Sequence, residues 1–368
     1  MEKYLSIRAN TALYISIFFI SLHHVFVYLT NSSTLKYIFN LKTVEILSVY
    51  GAASIFGVCV YMFLLKINLI KNPKIGIYIA SLLEIIILIM MYMSSINQNL
   101  YAFIGLFMIH HLLTPYILFN FDVLFESYTH IKDRGKSRGI YLTVWNIPFV
   151  IVPIIMSTLR VDNLNIVYII SAIILLPFYY LVFTYIQNPD YVKNNIEEKI
   201  SLRKLLKNFF KDKLDRNAFL IQSLLHLYYG SMAVILPIYL YSVFGFNWDK
   251  IGLILAAMTA PFILIQIPFG NIEDKKHNEK SILHLGALTT TVFTLFLFLI
   301  KPEFGQEISF LLFTIFLFVS HIGCSLIEIS MESIFYKHVT SRDNTALLMF
   351  RMARILPYSL GLITIFFI

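Results

Sequence analysis

Carboxylates, arginines and histidines of this chain stand inside long apolar runs, where each needs a physical reason to be. Asp122 and Glu126, and again Glu328 and Glu332, are i, i+4 pairs, so each pair shares one helix face. A carboxyl group held in such a setting can take up and release a proton during a working cycle. The alternative is an ion-pair gate, with Arg138 or the Lys275 region as partners. Arg351 and Arg354 are i, i+3 and lie about 12–16 Å into the last apolar run at the helical rise per residue. They can hold an anionic group of a ligand, or pair with Glu328 in a purely structural link. Histidines recur in four runs: His23 and His24, His110 and His111, His226, and His321. Histidine titrates near neutral pH. The bland reading is hydrogen-bonded packing; the functional one is a polar cavity wall, to which Gln222, Tyr229, Trp145 and Asn146 can contribute. Adjacent histidines cannot both face inward, since successive positions on a helix are about 100° apart. Glu84, alone in mid-run, has no evident role.

The elements that must position these groups are membrane-spanning helices. The chain has 368 residues, 58% of them hydrophobic and only 14% charged, against about 25% charged in soluble domains. A helix needs about 20 apolar residues to cross a bilayer. Eleven such spans are predicted, at about 10–30, 43–65, 73–94, 99–125, 139–159, 164–187, 217–241, 250–270, 280–300, 307–336 and 344–368. Gly, Pro and charge clusters mark the breaks. The first run lacks a small-residue cleavage site and is read as a retained helix.

Charge placement sets the orientation. Of the 29 Lys and Arg, the outer loops hold only Lys36, Lys42, Arg160, Lys250 and Lys301 when the N-terminus is inside. Nearly all the rest fall in cytoplasmic segments, as the positive-inside rule requires. Residues 188–216 form a long basic loop. Within it Leu202, Leu205, Leu206, Phe209 and Phe210 fall on one helical face, opposite most of the lysines and arginines. That pattern predicts an amphipathic interfacial helix, either a linker between two bundles or a partner-binding element.

The chain also repeats itself. A shift of 206 residues superposes Lys74 on Lys280 and Asp122-x-x-x-Glu126-Ser127 on Glu328-x-x-x-Glu332-Ser333. A shift of 211 places Tyr28-Leu29 on Tyr239-Leu240, and a shift of 209 places Pro148 on Pro357 and Trp145 on Arg354. Parallel repeats of six helices build one large class of transporters. The expected organisation is a first bundle at 1–187, a linker at 188–216 and a second bundle at 217–368.

Two stretches carry a family resemblance. LPIYLYSVFGFNWDKIGLI, residues 236–254, followed by PFGNIEDKKHNEKSI, residues 268–282, resembles the major facilitator superfamily, with Gly270, Ile272, Asp274, Lys275 and Lys280 matching its loop motif. His277 stands where that motif usually has glycine. DVLFESYTHIKDRGKSRG, residues 122–139, resembles the family's link between its fourth and fifth helices. The resemblance implies an all-α membrane protein of two bundles, here six and five helices, with helices one, four, seven and ten lining a cavity. It implies that Asp274 is a gate element. Two features depart from it. In LLKINLIKNPK, Leu64 and Asn68 stand for the motif's Gly and Asp, and the chain ends at Ile368 inside its eleventh span, which reads as truncation before a twelfth helix.

These observations exclude several classes. Cys59 and Cys324 sit alone in apolar runs and form no CxxC pair. No Walker-type glycine loop is present, against ATP-driven transport. No HExxH or HxxxH spacing marks a metalloenzyme, so neither metal nor cofactor is expected. The net charge of +8 follows topology and does not imply nucleic acid. The expectation is a monomeric secondary transporter in a bacterial cytoplasmic membrane, moving a small solute, possible anions included, with protons. A transporter-like sensor or assembly factor is the alternative; a membrane enzyme is not expected.

Overall fold

The structure is a computed structural model that describes residues 2–66, 72–130, 133–157, 164–187, 202–339 and 346–354. Asn68, Lys132, the linker stretch 188–201 and the last expected span beyond residue 354, Pro357 included, lie outside the described residues.

The described residues form helices without strands. In chain order they are α1 (Glu2–Tyr37), α2 (Thr43–Lys66), α3 (Pro73–Ile96), α4 (Leu100–Tyr128), α5 (Arg134–Ser157), α6 (Ile166–Tyr185), α7 (Leu202–Lys211), α8 (Lys213–Ser242), α9 (Trp248–Lys276), α10 (Glu279–Leu297) and α11 (Gln306–His338). A further helical piece, α12, covers 346–354. Ten of these helices are long and apolar enough to cross a membrane. They match the first ten predicted spans one for one. α7 falls on the predicted amphipathic segment, with Phe209 buried against Phe219.

The 206-residue repeat reappears in the helix starts. Pro73 and Glu279 stand that far apart and open α3 and α10, and Leu100 and Gln306 open α4 and α11. Local chemistry fixes two of these starts. The Asn72 side chain accepts from the Ile75 amide at 3.1 Å, with Pro73 in the first turn, and Asn99 accepts from Ala102 at 3.1 Å. Both are N-caps that satisfy an otherwise orphaned donor.

The burial pattern is inverted relative to a soluble protein. On α3, Ile79, Leu82, Leu83, Ile86 and Met90 are exposed, while Ser81 and Glu84 are fully buried. Apolar residues facing out over a whole helix imply a lipid solvent. This is an integral membrane protein.

Packing divides the chain into two units. One comprises Met1–Thr129, Val161–Leu227 and Val339–Ile368; the other comprises His130–Arg160 and Tyr228–His338. In the first, α3 packs on α4 and α6, and α1 packs on α6. In the second, α5 packs on α9, and α11 packs on α9 and α10. An apolar core of Leu240, Phe246, Ile254, Phe313 and Leu317 holds the latter unit.

Glycines allow the closest approaches. A Cβ on Gly135 of α5 would sit 2.7 Å from the Gly270 carbonyl oxygen of α9. A Cβ on Gly286 of α10 would sit 2.7 Å from the Gly323 oxygen of α11. Small residues at helix contacts are how membrane helices gain van der Waals contact without a hydrophobic drive.

Candidate functional site

In the first unit, Asp122 on α4 forms an ion pair with Arg351 on α12, through Oδ2 and Nε. Both side chains are buried. The sequence offered an anionic ligand group or Glu328 as partners for the two arginines; the pair seen for Arg351 is with Asp122. α12 and α4 belong to the same packing unit. Arg354, one turn on, is held by Gln222 of α8. In the amide orientation that satisfies both groups, Gln222 Oε1 accepts from Arg354 Nε at 2.9 Å and Nη2 at 3.2 Å. The Gln222 backbone oxygen lies 3.0 Å from His226 Nδ1. Two arginines, a carboxylate, an amide and an imidazole therefore gather on α4, α8 and α12. Glu126 is also buried, one turn along α4.

The histidines divide. His23 of α1 and His110 of α4 converge on Glu84 of α3: His110 Nδ1 contacts Glu84 Oε1, and His23 Nε2 lies 3.5 Å from the same oxygen. Glu84, a misfit in the sequence, is the centre of this cluster. No local spacing signals it, because its partners come from two other helices. His24 instead stacks on Tyr28, with ring centroids 5.9 Å apart. His111 stacks on Phe107 and meets Ser54 Oγ at 3.3 Å.

In the second unit, Glu328 of α11 accepts from Gln266 Nε2 of α9 at 2.9 Å. Asn146 of α5 donates to Gln266 Oε1 at 3.4 Å and to its own helix at Leu142 O, 2.8 Å. A polar chain therefore runs across α5, α9 and α11. Gln266 was not anticipated; a lone buried amide in an apolar run is its only sequence trace. Trp145 rests against Phe149 at 6.2 Å between ring centroids. His321 contacts Leu317 O at 2.9 Å on its own helix, and the Tyr228 hydroxyl meets Ser320 Oγ at 2.9 Å beside it.

Towards the other end of α11, Glu332 lies 3.5 Å from Arg138 of α5, both fully buried. The Arg138 guanidinium sits 3.4 Å above the centroid of the Tyr336 ring, a cation–π contact that also shields the pair. Arg138 and Glu332 are thus brought together.

Asp274 sits at the start of α5. Its carboxylate accepts from the Gly135 amide at 3.0 Å and the Lys136 amide at 2.7 Å, and pairs with Lys337 at 2.9 Å. A carboxylate at a helix N-terminus satisfies orphan amides and meets the positive end of the helix dipole. Lys337 also pairs with Glu279 at 2.8 Å. Lys275 and Lys280 of the motif are exposed. His277, in the usual glycine position, adopts left-handed backbone, φ 50 and ψ 42, at the end of α9. That is the conformation for which helices recruit glycine. Glu273, buried and bonded to Ser330 Oγ of α11, was missed in the sequence.

Comparison with known proteins fits this architecture. The sequence profile described as Major Facilitator Superfamily matches residues 72–362. The chain belongs to that superfamily. A search of curated proteins finds no significant match. Among solved structures, the human organic anion transporter TETRAN superposes with a TM-score of 0.75 at 10% identity, covering 98% of this chain and 92% of that one. A bacterial homologue of the iron transporter ferroportin gives 0.75 at 15% identity, covering 96% and 91%. The E. coli fucose:proton symporter FucP gives 0.68 at 13% identity, covering 97% and 90%. At these identities the likeness is one of fold. It is the fold of major facilitator transporters; the family match is what points to a transporter rather than an enzyme.

Proposed function

We propose that this superfamily member is a proton-coupled secondary transporter that moves a small anionic solute by alternating access. The Asp122–Arg351 ion pair carries the reading. A charge in a membrane helix costs roughly 2.5–3.5 kcal/mol on insertion scales, and such groups mark substrate or proton pathways. Asp122 and Arg351 compensate each other while the carboxylate is ionised. Protonation of Asp122 removes that compensation and leaves the guanidinium available to an anion. Arginine suits this role, since its planar fork matches carboxylate and phosphate groups. Arg354, held by Gln222, presents a second guanidinium one turn away.

In this scheme proton and anion travel together. Binding of the anion requires a protonated Asp122, and release of the proton restores the ion pair and expels the anion. The Glu328–Gln266–Asn146 chain in the other unit offers a second carboxylate for the cycle. Arg138–Glu332 and Asp274 with the α5 amides act as gate elements that form and break between states. The sequence repeat supports a division into bundles 1–187 and 217–368 joined by the 188–216 linker. The charge distribution supports a cytoplasmic N-terminus, and in this reading the protein works as a monomer in a bacterial cytoplasmic membrane. The anion carried by TETRAN and the proton coupled by FucP are consistent with the reading.

Uptake into proteoliposomes tests it. A panel of labelled organic anions, sugars and cations is offered with and without an inwardly directed pH gradient. Gradient-stimulated uptake of an anion supports the proposal; uptake of a neutral sugar alone, indifferent to pH, rejects the anion assignment and the coupling.

A further inference from the structure

We propose that His23, Glu84 and His110 form a binding site for a divalent transition-metal ion of the zinc class. The argument is independent of the transport reading and rests on which atoms face each other. His23 Nδ1 lies 2.7 Å from Ser171 Oγ, and the Ser171 hydroxyl donates to the His23 backbone oxygen at 3.2 Å. With its proton committed there, Ser171 Oγ accepts from His23 Nδ1–H. The hydrogen-bond network thereby assigns the tautomer. A neutral His23 then has a bare lone pair at Nε2. That lone pair faces Glu84 Oε1 at 3.5 Å, and His23 Nε2 has no hydrogen-bond partner among the described residues. Two acceptors directed at each other in a fully buried site call for a cation between them, either a proton shared as a His–Glu ion pair or a metal ion.

His110 Nδ1 completes the set, and one ligand atom from each of the three residues lies within 4.8 Å of the others. Zinc binds imidazole nitrogen and carboxylate oxygen at about 2.0–2.2 Å in tetrahedral geometry, which places neighbouring ligand atoms about 3.3–3.5 Å apart. The His23–Glu84 separation already matches one tetrahedral edge. The closer His110–Glu84 contact opens to admit the ion. Glu84 Oε2, also without a hydrogen-bond partner among the described residues, can share the metal or hold a water in the fourth position. Two imidazoles and one carboxylate form a donor set suited to zinc and its neighbours and poorly suited to calcium or magnesium. Ser171 supplies the outer contact that metal-bound histidines almost always have.

The ligands come from α1, α3 and α4, with Ser171 on α6. Glu84 and His23 are 0% exposed. A bound ion would therefore pin four helices of the first unit and act as a structural or regulatory centre.

The experiment uses the full chain purified in detergent, with any affinity tag removed and metals stripped by chelator. Zn2+ is titrated by calorimetry, and Co2+ by visible absorption. The expected result is one equivalent per chain, the intense visible bands of a tetrahedral cobalt site, and a raised Tm. Glu84→Gln and His23→Gln should each lose that equivalent, Ser171→Ala should weaken binding about 10–100-fold, and His284→Gln, on exposed α10 surface, should leave it intact. Substoichiometric binding by the wild-type chain, or cobalt bands of octahedral type, overturns the proposal even if the variants fail to fold. So does full binding by a folded Glu84→Gln variant.

Discussion

The contact of α3 with α4 and the contact of α10 with α11 stand at corresponding places in the 206-residue repeat, and they solve the same packing problem differently. On the first, Glu84 meets His110 through side-chain polar groups. The positions 206 residues later are Thr290 and Phe316. There Gly286 and Gly323 let the backbones approach, and the Thr290 hydroxyl donates to the Ser320 carbonyl at 3.2 Å. One contact is held by buried polar side chains and the other by small residues. Further along the same helices, Asp122 and Glu328 also correspond, yet Asp122 takes an arginine and Glu328 a glutamine. Duplicated helices kept their geometry and their carboxylates. Their partners diverged, so the chemistry of each half is set by the partners.

Substitutions can break this comparison at graded cost. The largest effect is expected at Asp122. Asp122→Ala leaves Arg351 buried without its carboxylate, and breaking a buried pair from one side costs about 3–5 kcal/mol. Thermal unfolding should show a large fall in Tm, and anion uptake should be lost. A near-neutral result would mean that the pair is not maintained in the membrane. Next comes Gly323→Leu. Its side chain must enter a contact where a Cβ already lies 2.5 Å from the Gly286 oxygen, and overpacking of this kind costs about 1–3 kcal/mol. The same substitution at Gly105, where a Cβ meets open space, should leave Tm unchanged. Glu328→Gln should be milder, about 1 kcal/mol, because one amide can bond another; its signature is a pH dependence of uptake that is weakened but not lost, since Asp122 is intact. The smallest effect is expected at Lys250–Glu307, a pair at 2.6 Å in which the Glu307 side chain is 84% exposed. Glu307→Gln should produce no measurable shift, in keeping with exposed ion pairs.

What could be read in the sequence follows the same divide. Spans were legible because lipid demands about 20 apolar residues whatever the neighbours. The pairs Asp122/Glu126 and Glu328/Glu332 were legible because i, i+4 spacing and the repeat are properties of one chain segment. Gly270 and Asp274 were legible through a contiguous motif, and the structure adds the reason: a bare backbone contact with Gly135 and a carboxylate on the α5 amides. Glu84 was visible as an expensive residue, but its partners lie on other helices 26 and 61 positions away. No periodicity links such sites. Asp122 was not legible as a partner of Arg351 for the same reason, since the two lie on helices far apart in the chain. Gln266 and Glu273 went unnoticed because a single amide, or one acid in a charged loop, carries no pattern of its own.

The most direct test of the central claim is anion uptake into proteoliposomes with an inwardly directed pH gradient, comparing wild type with Asp122→Asn. Stimulation by the gradient in the wild type, and its loss in the variant with the protein still folded, is the result the account predicts. Equal gradient stimulation in both would contradict it, because Asp122 could then not be the group whose protonation releases Arg351.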